Sequence, residues 1–246
     1  MENFPDASSE QTMYYRSQAS AQLINSQEHG VHAELLLVEG ESAARSAAQV
    51  RNAGVQAVLP LQGKPLNAWK ATATKVQASP LYGQLAQALG LPGPTEPLAE
   101  TALPQLQFGR LVLLFDPDAD GIHIGALVLL YLQRWQPVLL QQQRVVMVRP
   151  PMGAMQTVDA ETGEITHQNA YSPEHLRALQ QAMAPENAPF TQTQVYRGLG
   201  SMPPDVLRKT CIDPDTRQAH AVTEQEMQQV VDIFGGSADK YPTTGG

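Results

Sequence analysis

The stretch that most restricts the fold is LVLLFDPDADGIHIGALVLLYL, residues 111–132. Apolar residues run into three carboxylates at alternating positions, Asp116, Asp118 and Asp120, and a second, longer apolar segment follows. A short continuous apolar run is the pattern of a strand buried on both faces, and the longer segment that of a buried helix. The acids therefore fall at the carboxyl end of a strand, where the helix begins. Crowded carboxylates repel one another, so the fold must bring something there that offsets the repulsion.

A second junction has the same form. The run AELLLVEG, starting at Ala33, ends in Glu39 and Gly40 and passes through Glu41 and Ser42 into the alanine-rich ESAARSAAQVRNAG, a predicted helix that closes on Gly54 as its cap. VQAVLPLQG reads as another strand, PLYGQLAQALG as a helix and the proline-rich LPGPTEPLAE as a surface loop. After Trp135, QPVLLQQQRVVMVRPP adds a strand beyond a polar spacer. Strands alternating with helices predict an α/β, Rossmann-like parallel sheet flanked by helices, with ligands gathered at the carboxyl ends of the strands. Both acid clusters lie at such ends.

Further on, MQTVDAETGEITHQN alternates about a central turn and predicts a β-hairpin; SPEHLRALQQAMAP predicts a helix with a serine N-cap and proline at its first position. From Tyr196 to Phe234 the chain reads as mostly helical after a glycine-rich turn. The expected organisation is a flexible arm over 1–32, with a helix near MYYRSQASAQLINSQ, an α/β domain over 33–150, a small α+β tail region over 151–235 and a disordered end over 236–246.

With 246 residues, 42% of them hydrophobic, the chain can bury a proper core. Its apolar runs fall short of the roughly 20 residues that cross a bilayer, and MENFPDASSEQ is not signal-like, so a cytoplasmic protein with no membrane partner is expected. A single cysteine, Cys211, forms no internal disulfide and reads as a small buried side chain. A net charge of −8 argues against coating DNA through a general basic surface; any DNA contact must be local.

Glu39 and the triplet Asp116, Asp118 and Asp120 form an all-oxygen donor set whose repulsion a hard divalent cation relieves, and Mg²⁺ is the first candidate. Such an ion binds through one or two carboxylates plus phosphate oxygens, which points to phosphoryl transfer on a nucleotide or nucleic acid. Two alternatives stay open: a calcium loop, against which Leu127 stands where its glutamate belongs, and a solvated acidic turn. Ser42 reads as a helix cap rather than a nucleophile, His123 as a packed, hydrogen-bonded ring, and Trp69 and Trp135 as core or interface anchors.

Five motifs in order, VEGESA, QAVLPLQGKPLN, FDPDADGIHI, YRGLGSM and DPDTRQAHAVT, resemble the C-terminal half of the B subunits of type IIA topoisomerases (gyrase and topoisomerase IV), a TOPRIM domain followed by a tail. The resemblance covers residues 33–235. It implies that Glu39, Asp116, Asp118 and Asp120 bind Mg²⁺ beside a scissile phosphate, which a tyrosine of a gyrase A-like partner attacks. It also implies that Lys64 lies near the DNA backbone and that Arg197 contacts DNA where the family has a lysine; Glu39, Asp116 and Lys64 are the residues assigned to the chemistry. The chain departs from the family at Glu41 (aspartate), Gln62 (arginine), Gly125 (arginine) and Ser201 (glutamate). Each lost cation removes a phosphate contact.

The family's ATPase region precedes TOPRIM, and no ATP site is expected in this chain. The reading is a TOPRIM subunit that supplies Mg²⁺ for DNA cleavage and rejoining with its partner; the alternatives are a non-catalytic paralogue that modulates or inhibits gyrase, and a free-standing Mg²⁺-dependent nuclease.

Overall fold

The computed structural model of the chain describes residues 23–158, 162–163, 165–182 and 191–236. Residues 1–22 of the expected arm, with most of its predicted helix, and residues 237–246 of the expected disordered end lie outside them. The described part of the arm is not loose: Ile24 forms an antiparallel bridge with Val58, with both backbone hydrogen bonds at 2.9 Å.

The first half alternates as expected: β1 (Gly30–Glu39), α1 (Gly40–Val50), β2 (Gln56–Leu61), α2 (Ala73–Gln77), α3 (Pro80–Leu89), β3 (Phe108–Leu113), α4 (Ala119–Trp135), α5 (Pro137–Gln141) and β4 (Val145–Val148). The four strands are parallel in the order β2-β1-β3-β4. This is the Rossmann-like α/β sheet. Its unbroken apolar runs are explained by burial on both faces. Leu35, Leu37, Leu111 and Leu113 pack toward α3 and α4, while Leu36, Val38, Val112 and Leu114 pack toward the alanines of α1. Each such leucine contributes about 1.5–3 kcal/mol relative to exposure.

Several elements differ from the sequence expectation. Helix α1 ends at Val50, before Gly54, because Asn52 turns the chain: its side chain accepts from Gly54 N at 3.0 Å. Arg51 caps the helix with its backbone N–H and ties its guanidinium to the carbonyls of Gln56 and Asn25. PVLLQ forms the short helix α5, which turns the chain into β4. The proline-rich loop is pinned to the core: Pro94 O accepts from buried Tyr131 Oη at 2.9 Å, and the buried Gln136 amide holds Leu98 N and Glu96 O.

The hairpin is present as β5 (Gly153–Val158) and β6 (Ile165–Ala170), and β7 (Thr191–Val195) joins it in an antiparallel sheet of order β6-β5-β7. Helix α6 (Pro173–Ala182) follows β6, with Ser172 Oγ accepting from His175 N at 3.0 Å as its N-cap. The last segment contains short helical turns, α7 (Pro204–Leu207) and α8 (Glu224–Val230), and between them β8 (Ala219–Ala221), which pairs antiparallel with β4. That strand was not expected from the sequence.

This segment completes both layers over the main sheet. Tyr196, Leu199, Met202, Leu207, Cys211 and Ile212 share the core on the α1 side, and Met227 and Phe234 pack with the α4 side. It is fastened at the amino ends of the strands by a buried polar network. Arg217 meets the Glu34 carboxylate through two nitrogens, at 2.6 and 2.9 Å, and Gln56 Nε2 donates to the same carboxylate and to Ile212 O. Burial pushes the Glu34 carboxyl upward, but Arg217, Gln56 and Arg110 outweigh it and hold it below its ordinary value.

Candidate metal and nucleic-acid site

The strand order places the site. From β2, on one side of β1, the chain crosses to β3 on the other, so the carboxyl ends of β1 and β3 flank a topological switch point, where α/β sheets bind ligands. Register carries this to the residues: Leu37 pairs with Leu113, so Glu39 and Asp116 leave adjacent strands at the same edge. The loop after β2 brings Lys64 to that edge. An open cleft of about 560 Å³ has Glu39, Gly40, Gln62, Lys64 and Asp120 on its wall.

Each acid is held differently. Glu39 ends β1 and stands at the N-cap of α1, half-buried. Its carboxyl is pushed upward, first by burial and then by Asp116, Asp118 and Asp120, with Lys64 acting the other way. Asp116 is half-buried; burial raises it most, Asp118 adds to this, and a hydrogen bond from Leu199 N at 2.8 Å opposes it. Asp118 is exposed and caps α4, accepting from Gly121 N at 2.8 Å. Asp120 is exposed in the first turn of α4 and meets Lys64 Nζ at 3.0 Å. Gly121 is required here, since a Cβ would collide with the Asp116 carbonyl oxygen and lie 2.9 Å from its nitrogen.

Among the described residues no three His, Cys, Asp or Glu side chains are grouped so as to hold one metal ion. A three-carboxylate cage is not what Mg²⁺ needs, because it binds through one or two carboxylates and keeps waters or phosphate oxygens for the rest. The donor chemistry fits such an ion. Glu39 and Asp116 are destabilised as anions by burial and by neighbouring acids, and a cation beside them relieves both effects.

The remaining residues singled out in the sequence divide clearly. Arg197 is exposed, next to Gly198 and the Leu199 amide that holds Asp116. Glu41 and Gln62, two of the departures from the family pattern, touch each other: Gln62 Nε2 donates to Glu41 Oε1 at 3.0 Å. Gly125 faces the core against Phe115, and the Ser201 hydroxyl is used within its own loop, accepting from Arg197 N and donating to Gly198 O, both at 2.9 Å. Ser42 is not a helix cap, since Glu39 occupies that position; it lies instead against Gly200 of the tail loop.

His123 stacks on Phe234, with ring centroids 5.4 Å apart. Trp69 packs on the core, and Trp135 Nε1 donates to Ala68 O while its ring lies under Arg134. Cys211 is buried, and burial pushes its thiol up to about 11, so it is inert. Gly198 and the Leu199 amide escaped the reading of the sequence. A backbone donor has no side-chain signature, and the only signal was the glycine pair in YRGLGSM. No helix among the described residues is long and apolar enough to cross a membrane.

Comparison with known proteins agrees with the α/β fold. The Toprim domain family matches residues 34–150. The chain is 33% identical over 206 residues to the B subunit of DNA topoisomerase 4 from Pseudomonas aeruginosa, which covers 83% of this chain and 31% of that protein. It is 35% identical over 190 residues to the corresponding protein of Haemophilus influenzae (77% and 28%), and 31% identical over 206 residues to the B subunit of DNA gyrase from Thermotoga maritima (84% and 30%). The chain thus spans under a third of the length of these relatives. It carries a Toprim domain over residues 34–150 and is similar over about four fifths of its length to the B subunits of type IIA DNA topoisomerases.

Proposed function

We propose that this chain supplies the Mg²⁺ site for DNA breakage and rejoining, acting with a gyrase A-like partner that carries the attacking tyrosine. The observation that carries the reading is the meeting of Glu39 with the Asp116–Asp120 segment at the switch point, beside Lys64. Glu39 and Asp116 are the carboxylates that would hold the ion directly, with Asp118 and Asp120, exposed at the start of α4, completing the acidic set around it. When bound, Mg²⁺ neutralises charge on the phosphate undergoing displacement.

The chain's own groups do the rest. Lys64 lies on the cleft wall and presents an ammonium to a phosphate, at the cost of its exposed pairing with Asp120. Arg197 offers a second, exposed cation on the tail loop whose Leu199 amide meets Asp116. Glu39, whose carboxyl is raised by burial and by the neighbouring acids, is the carboxylate that gains most from a cation beside it. Two such cations in a chain of net charge −8 make a local DNA contact, with the remaining grip coming from the partner.

The test is cleavage and relaxation of supercoiled plasmid with Mg²⁺, with and without a gyrase A subunit from the same source. Covalent cleavage complexes are expected only in the mixture and are lost in Asp116→Ala. An inert mixture, together with inhibition when the chain is added to complete gyrase, would replace this reading by the non-catalytic module that modulates gyrase. Nicking by the chain alone would favour the free-standing nuclease.

A further inference from the structure

Asp116 and Leu199 lie 83 positions apart in the chain, yet the tail loop is built around the Asp116 carboxylate. The Leu199 amide donates to Oδ1 at 2.8 Å. Gly198, at φ +146°, approaches the other side: a Cβ there would collide with Oδ2 and stand 2.9 Å from Cγ. Both oxygens therefore face the loop, and only glycine permits the approach.

The loop is itself anchored from three directions. The Leu199 side chain is fully buried in the same core as Leu36, Val38 and the alanines of α1. Ser201 closes the loop on itself through Gly198 O and Arg197 N. Gly200 fits against Ser42, where a Cβ would lie 2.5 Å from Oγ. A contact held this firmly restricts the carboxylate rather than following it.

We propose that Gly198 and the Leu199 amide are the positioning elements of the acid site. They hold the Asp116 carboxylate in one orientation before a divalent ion arrives, so that ion binding and docking of the tail loop are coupled. This inference rests on the reading of Asp116 as a metal ligand. The physical basis is preorganisation: a ligand already fixed by a supporting hydrogen bond loses no rotamer freedom when the ion binds. Coupling is reciprocal, so whatever factor the docked loop adds to ion affinity, the ion adds to docking.

The test uses the full chain, with Mn²⁺ binding followed by electron paramagnetic resonance and displaced by Mg²⁺. In one variant Leu199 is replaced by its α-hydroxy acid, which keeps the side chain and exchanges the N–H for an ester oxygen. A second is Gly198→Ala, and Asp116→Ala sets the floor. Ion affinity is expected to fall about 10–100-fold in the first two, the range typical of supporting partners of metal ligands, while circular dichroism reports a folded chain. In the unaltered chain, Mg²⁺ is expected to slow hydrogen exchange at the Leu199 amide, a readout that requires no variant to fold.

Undiminished ion affinity in the ester variant, with Leu199 exchange indifferent to Mg²⁺, would overturn the positioning role and leave the metal site standing. Failure of the unaltered chain to bind the ion more tightly than Asp116→Ala would overturn both, and would be recognised by that comparison alone.

Discussion

Removing the Arg217 guanidinium is the sharpest test of how the tail is fastened to the sheet. The Arg217 side chain is 2% exposed and that of Glu34 8%, and they meet bidentately at 2.6 and 2.9 Å. Arg217→Met leaves the Glu34 carboxylate buried with only Gln56 and the more distant Arg110 for company. Breaking a buried pair by removing one partner costs about 3–5 kcal/mol, because the survivor is left uncompensated. At about 2–4 °C per kcal/mol for a chain of this size, the melting temperature falls by roughly 6–20 °C.

The double variant Glu34→Leu with Arg217→Met removes both charges and should recover most of that loss. Urea unfolding at pH 7 of the unaltered chain, Arg217→Met, Glu34→Leu and the double variant measures the four free energies, and the non-additivity of the single changes is the coupling. The pH dependence gives a second check. The folded Glu34 carboxyl lies below its unfolded value, so its contribution is fully present above the unfolded value and is lost as pH falls through the folded one. The gap between the unaltered chain and Arg217→Met should therefore narrow in acid. A penalty under about 1 kcal/mol at neutral pH, or a double variant no better than the single, would refute the argument.

Three further variants probe the site. Glu39→Gln should stabilise the chain in metal-free buffer by a few tenths of a kcal/mol, because the site disfavours the ionised carboxylate; calorimetry with and without Mg²⁺ checks the sign. Lys64→Ala should change stability by less than about 1 kcal/mol, since its pair with Asp120 is exposed. The same change should weaken DNA binding and reduce its salt slope by about 1, measured by titration over a range of salt. Gly121→Ala should destabilise by about 1–3 kcal/mol, because the added Cβ meets the Asp116 backbone; a smaller loss on thermal unfolding would contradict the geometry.

The parallel sheet and the placement of its acids were legible because each depends on local pattern. Residues 111–115 had to be buried on both faces, and the chain could turn to helix only where Asp118 caps it and Gly121 leaves room. Where the reading fell short, the deciding partner was distant. Strand β8 is three residues long, too short for a periodic signal, and forms because β4 offers it an open edge. Helix α1 stops early because the Asn52 side chain competes for the backbone beyond it.

By itself the sequence determined the strand-to-helix junctions, the acids that stand at them and the likeness to the topoisomerase B subunits, since these follow from residue type and spacing. Only the tertiary structure decided that the tail completes both layers of the sheet, that Glu34 and Arg217 meet across 183 positions and that the Leu199 amide grips Asp116. Backbone donors and buried ion pairs leave no periodicity in the chain; they exist only once packing has brought their partners together.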